Sequence, residues 1–102
     1  MTAVTLICSF VVRTGVEGQL RALLQDMLAP TRSEPGCKVY DFYDSDCGGR
    51  LFLYETSETH AALEEHMSTP HFKRLEKTGG RQVKEPFEIN FINQVLTGAV
   101  EL

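Results

Sequence analysis

The chain has 102 residues, a formal net charge of −4, 42% apolar and 24% charged residues and three cysteines, the composition of an ordinary globular domain. That length predicts one domain, residues 1–102, around one core that buries roughly 60–65% of the unfolded surface, so a partner subunit is an early expectation. The acidic balance excludes the usual nucleic-acid and membrane-surface binders, which draw on Lys and Arg, and Cys8, Cys37 and Cys47, odd in number and without CxxC spacing, point to reduced thiols in the cytoplasm, with no disulfide framework and no metal site.

Val4 to Arg13 is predicted as the first strand. Val4, Leu6, Cys8, Phe10 and Val12 share one parity, and Ile7 and Val11 add apolar positions to the other, so both faces are at least partly covered. The run is too short to span a bilayer and lacks the basic flank of a signal peptide. After the Thr14-Gly15 turn, Leu20, Leu23, Leu24, Met27 and Leu28 follow one helical stripe, which places a helix at about Glu17 to Thr31. Pro30 removes the backbone bond back to Asp26 and is expected to kink or end this helix, and Glu34-Pro35-Gly36 closes the segment with turn chemistry. Lys38 to Asp44 and Leu51 to Thr56, joined by the polar Ser45 to Gly49 connection, read as a hairpin. Ser57 is the expected N-cap of a second helix with Glu58 in its first turn; Pro70 interrupts it, and His71 to Lys77 forms a further short turn. Gly79-Gly80 and Glu85-Pro86 bracket a basic loop, and a final strand runs from Phe87 to Val95 with Phe87, Ile89, Phe91 and Val95 on one parity. In the tail from Gly98 to Leu102, Val100 and Leu102 offer apolar surface to bury.

This βαββαβ order is that of the split-βαβ, ferredoxin-like plan: an α+β domain whose antiparallel sheet carries both helices on one face. The other face has no helix, yet Phe52 and Tyr54 oppose Leu51 and Leu53 in parity as Ile7 and Val11 oppose Leu6 and Phe10. A large exposed apolar face marks an interface or a ligand groove, and a homodimer joined through the open sheet faces is expected.

On a helical wheel with Ala62 at zero, His66 falls at about 40°, Thr59 at about 60°, Leu63 at about 100° and Met67 at about 140°. His66 therefore turns inward with the apolar stripe, where a neutral imidazole needs a hydrogen-bond partner or a role in chemistry. Glu55, near the end of the preceding strand beside Tyr54, is placed to orient a histidine and raise its basicity, or else to make a salt bridge or cap. His71 follows Pro70 at a bend that could close over a pocket, and His60, at the stripe's margin, has no assigned role. His60 and His66 lie on different faces and no HxxxH or HxH pair occurs, so the histidines do not suggest a metal. GxGxxG, P-loop and GxSxG motifs are absent from the sequence. Lys73, Arg74, Lys77, Arg81 and Lys84 form a basic stretch that reads as a solvated face or as an attractor of anionic substrate.

The segments Arg32-Ser33-Glu34-Pro35-Gly36-Cys37-Lys38-Val39-Tyr40, Tyr54-Glu55-Thr56-Ser57 and His66-Met67-Ser68-Thr69-Pro70-His71-Phe72 resemble the antibiotic biosynthesis monooxygenase family over nearly the whole chain. The E-P-G-C and H-x-x-T-P-H-F stretches are its specific parts. The resemblance implies a dimeric α+β barrel in which a partner closes the open sheet, with a pocket between helices and sheet in each subunit. It also implies oxidation of an electron-rich phenol, anthrone or quinol by O2 with no cofactor: the deprotonated aromatic passes an electron to O2, and the protein supplies a dry pocket, a base and hydrogen bonds to the oxyanion. Carried over residue by residue, His66 is the candidate base, Glu55 its orienting carboxylate, His71 a further catalytic candidate, and Tyr40, Tyr54, Leu63, Met67 and Phe72 the candidate substrate contacts. Thr56 stands where family members often have Trp. The haem-degrading branch is disfavoured, because the first strand has no Asn, the chain has no Trp, and Glu76 stands about where the haem-ligating His would be. Two alternatives are an isomerase of a phosphorylated signalling sugar, which suits Thr69-Pro70-His71 and the basic loop, and a non-enzymatic ligand-binding stress module.

Overall fold

The structure, a computed structural model, describes residues 2–46 and 48–93; Cys47, positions 94 and 95 of the expected last strand and the tail from Gly98 lie outside the described residues. Strand β1 (Val4–Val11) is followed by helix α1 (Glu17–Arg32), strands β2 (Cys37–Asp44) and β3 (Arg50–Ser57), helices α2 (His60–Met67) and α3 (Pro70–Arg74), a π-helical turn at Leu75–Gly79 and strand β4 (Glu88–Ile92). The four strands form one antiparallel sheet in the order β2-β3-β1-β4, which is the expected ferredoxin-like α+β plan.

Register decides which side chains meet the helices. Leu6 pairs with Glu55, Cys8 with Leu53 and Phe10 with Leu51, and Tyr40 pairs with Glu55 across β2 and β3, so these residues share the helical face. Leu20, Leu23, Leu24 and Met27 of α1 close over them, a stripe of i, i+3, i+4 and i+7 positions that the sequence already displays. The opposite parity forms the open face, where Ile7, Tyr43, Phe52 and Tyr54 line a hollow of about 440 Å³.

Three boundaries differ from the expectations, each for a local reason. Pro30 lies inside α1 without ending it, because only the bond to Asp26 in an exposed last turn is lost, and Ser33 N–H still reaches the Ala29 carbonyl at 3.1 Å. Ser57 does not cap α2: it is the last rung of β3, opposite Val4, and Thr59 caps instead, its Oγ1 accepting from Ala62 N–H at 3.0 Å. Phe87 precedes β4 and packs its ring edge-on against Phe10 with centroids 4.6 Å apart. Within β4, Ile89 and Phe91 stand opposite Cys8 and Leu6 on the helical side, yet remain 51% and 59% exposed.

Candidate active site

Two of the three histidines meet on one carboxylate, and it belongs to Glu34, a turn residue 32 positions before His66. The turn is set by its backbone: Glu34 N–H donates to the Thr31 carbonyl at 3.0 Å, and the Glu34 carbonyl accepts from Cys37 N–H at 3.1 Å. On one side Arg32 donates through Nε and Nη2 to the Tyr40 carbonyl, at 3.1 and 2.9 Å. On the other the Gly36 carbonyl accepts from Glu58 N–H at 2.8 Å, and a Cβ at Gly36 would collide with the Ala62 Cβ of α2. Glycine is thus needed here for close approach, and the E-P-G-C stretch presses the Glu34 side chain toward α2.

The H-x-x-T-P-H-F stretch does the complementary work. Thr69 Oγ1 donates to the His66 carbonyl at 2.6 Å and accepts from Phe72 N–H at 3.2 Å, so it ties the end of α2 to the start of α3, with Pro70 in the first turn. On one continuous helix His66 and His71 would point about 140° apart. The break between α2 and α3 brings their ring centroids to 5.8 Å.

His66 Nδ1 lies 3.0 Å from both carboxylate oxygens of Glu34, and His71 Nε2 lies 2.5 Å from Oε2 of the same group. The His66 side chain is 6% exposed, against 19% for Glu34 and 21% for His71, so the cluster opens toward solvent on the α3 side. Tyr40 and Phe72 flank the His66 ring edge-on at 5.6 and 5.3 Å. A carboxylate on Nδ1 holds the ring proton there and leaves Nε2 as the basic nitrogen, the arrangement that general-base catalysis uses.

Glu55 was the expected orienting carboxylate; the structure puts Glu34 in that place. Glu55 and Glu34 both border a void of about 10 Å³ with Thr31, Tyr40 and His66, room for no more than one water. Burial, reinforced by the charge of Glu34, pushes the Glu55 carboxyl up to about 7, from 4.5. The folded protein therefore binds this proton more tightly than the unfolded chain, so the contribution of Glu55 to stability is greatest below about 4.5 and declines as pH rises through about 7. We expect Glu55→Gln to gain on the wild type by up to about 3 kcal/mol between pH 5 and pH 8 in urea denaturation; a difference independent of pH would show that Glu55 ionises freely. Burial followed by the charge of Glu55 likewise raises the Cys8 thiol, to about 12, and burial raises Cys37, so neither is an activated nucleophile.

Of the other residues singled out from the sequence, Tyr40 and Phe72 meet His66, while Leu63 is buried in the core and Met67 packs beside it. Tyr54 lies elsewhere: next to Glu55 in the strand, it points to the open face. His60 is exposed, 3.8 Å from Glu64. In the basic stretch Lys73 and Arg74 pair with Glu76 and Asp26 at 3.9 and 3.5 Å on the surface, the solvated-face arrangement. Glu34 stands in the sequence as a turn residue and within the E-P-G-C stretch, with no site role assigned to it; the signal that could have found it is an ionisable residue directly before a Pro-Gly pair.

A sequence profile described as antibiotic biosynthesis monooxygenase matches residues 3–78. The Mycobacterium tuberculosis protein Rv0793, whose name proposes a monooxygenase, is 37% identical over 89 residues, 87% of this chain and 88% of the relative. The solved structure of Rv0793 superposes with a TM-score of 0.89, covering 96% of this chain and 100% of that one at 34% identity. PA3566 from Pseudomonas aeruginosa superposes with a TM-score of 0.86 at 27% identity, covering 94% of this chain and 97% of that one.

Proposed function

The chain belongs to the antibiotic biosynthesis monooxygenase family, and on that premise we propose that it is a cofactor-independent monooxygenase acting on an electron-rich phenolic or quinol-type small molecule, with His66 as the base. The observation that carries this reading is the buried His66 held through Nδ1 by the Glu34 carboxylate. His66 Nε2 takes a proton from the substrate, and the Tyr40 and Phe72 rings keep water from the resulting anion. For an anthrone the balance closes without a further reductant. The CH2 carbon gives four electrons to O2, one oxygen atom becomes the new quinone carbonyl, and the other leaves as water with the two hydrogens.

The void beside His66, about 10 Å³, does not hold such a substrate, so binding requires an opening. Helix α3 is the element to move: its five residues contribute no buried side chain, and His71 and Phe72 on it screen His66. We place a second copy of the chain on the open sheet face, where the hollow lined by Ile7, Tyr43, Phe52 and Tyr54 is largely apolar. No helix among the described residues is long and apolar enough to cross a membrane, and the free thiols of Cys8 and Cys37 suit the cytoplasm.

The test of the activity is O2 uptake by chelator-treated protein supplied with an anthrone or a menadiol-type quinol. We expect one O2 consumed per anthrone, with no loss of activity on chelator treatment; turnover that proceeds equally without O2 would overturn the reading. For the assembly, sedimentation at micromolar concentration should give a dimer that Tyr54→Glu converts to a monomer. A monomeric wild type would remove the partner from the proposal.

A further inference from the structure

The three groups that meet beside α3 are also a metal-ligand set. His66 Nδ1, His71 Nε2 and a Glu34 carboxylate oxygen all lie within 4.8 Å of one another. Two imidazoles and one carboxylate are the donors that borderline divalent ions such as Zn²⁺ take, with three protein ligands and an open fourth position for water. Metal–ligand bonds of about 2.0–2.2 Å place neighbouring donors roughly 3.3–3.6 Å apart around a tetrahedral ion. The His66–Glu34 separation of 3.0 Å and the His71–Glu34 contact of 2.5 Å each need to open by roughly 1 Å or less, and the set, whose donors lie within 4.8 Å of one another, draws in around the ion.

Two further features favour an ion. Among the described residues, the hydrogen bonds of the Glu34 carboxylate run only to these two histidine nitrogens, so an ion entering the cluster replaces each broken bond by a metal bond and orphans no buried group. The ligands come from three separate pieces, the turn after α1, helix α2 and helix α3, and the partial exposure of Glu34 and His71 leaves a way in and a site for the water ligand.

We propose that Glu34, His66 and His71 bind a divalent transition-metal ion of the zinc class. The consequence for activity rests on the oxygenase reading above. Metal on His66 Nδ1 obliges the ring proton to sit on Nε2, the nitrogen that acts as base, so the metal-loaded protein is inactive and the ion is an inhibitor of the site.

Cobalt(II) is the probe, because its visible absorption reports coordination without any assay of turnover. Titration of chelator-stripped protein should give the absorption of a four- or five-coordinate cobalt site that saturates at one ion per chain and is displaced by Zn²⁺. His71→Ala and Glu34→Gln should each weaken cobalt binding more than about 10-fold, while His60→Ala, at an exposed histidine outside the cluster, should leave it unchanged. Absence of the cobalt spectrum in the wild type overturns the proposal, as does a spectrum that survives unaltered in His71→Ala and Glu34→Gln. Circular dichroism of His71→Ala, whose substitution lies in a helix without buried side chains, separates lost ligation from lost folding. The two readings fail separately: a protein that binds cobalt but takes up no O2 when stripped of metal removes the oxygenase and leaves the metal site, whereas O2 uptake that zinc does not inhibit, in protein that binds no cobalt, removes the metal site alone.

Discussion

His66→Ala should lower kcat for O2-consuming oxidation of an anthrone by about 10²–10⁴-fold, the range a positioned general base contributes. The effect is expected in kcat because, on the proposed mechanism, deprotonation generates the species that reacts with O2. Glu34→Gln tests the dyad from the other side. Its amide can donate to Nδ1 and shift the ring proton to Nε2, the wrong tautomer for a base, so it should also lose activity even though the side chain keeps its shape. Circular dichroism and urea denaturation guard against an unfolding artefact, since His66 is only 5% exposed. A His66→Ala protein that folds and keeps kcat within a few-fold of wild type would show that the proton leaves the substrate by another route.

Phe10→Ala should destabilise the domain by about 3–5 kcal/mol in urea denaturation at fixed protein concentration. Phe10 has no exposed surface, stands opposite Leu51 of β3 near the end of β1, just past the last rung shared with β4, and carries an edge-to-face contact with Phe87 at 4.6 Å. Removing the ring leaves a cavity at the junction of sheet, α1 and the segment that leads into β4, which the close-packed neighbours relax only partly to fill. Against a total stability of about 5–15 kcal/mol this is a large fraction, and larger still for a small domain. A loss below about 1 kcal/mol would mean that Phe87 or its neighbours repack into the space.

Much of the architecture is written in local pattern. The leucine stripe of α1, the alternation of β1 and the Ser45–Gly49 connection of the hairpin place those elements within a residue or two of where they lie, and element order then leads to the sheet plan. Errors arose where a residue had two competing local roles. Ser57 is a good helix cap, but it is also the last rung of a ladder with β1 and β2, and the ladder prevailed. Phe87 shares the parity of β4 yet serves the core before the strand begins.

The candidate site divides in the same way. His66 was legible because its wheel angle turned an imidazole inward, and Tyr40 and Phe72 lie beside it in the fold. Tyr54 could have been separated from Glu55 by parity alone, since adjacent residues of a strand point to opposite faces. Glu34 could not be assigned in that manner. Its contact with His66 requires a glycine small enough to let a turn lie on α2, and a break at Thr69-Pro70 that swings His71 back over the same carboxylate.

The sequence by itself determined which elements form, which stripe each buries and which histidine faces inward, because these follow from periodicities of two and 3.6 residues within short windows. Only the tertiary structure decided that Glu34, and not Glu55, is the partner of His66, and that two histidines share it. Those facts depend on the approach of segments more than thirty residues apart, where distances of about 3 Å are set by packing and are absent from any local pattern.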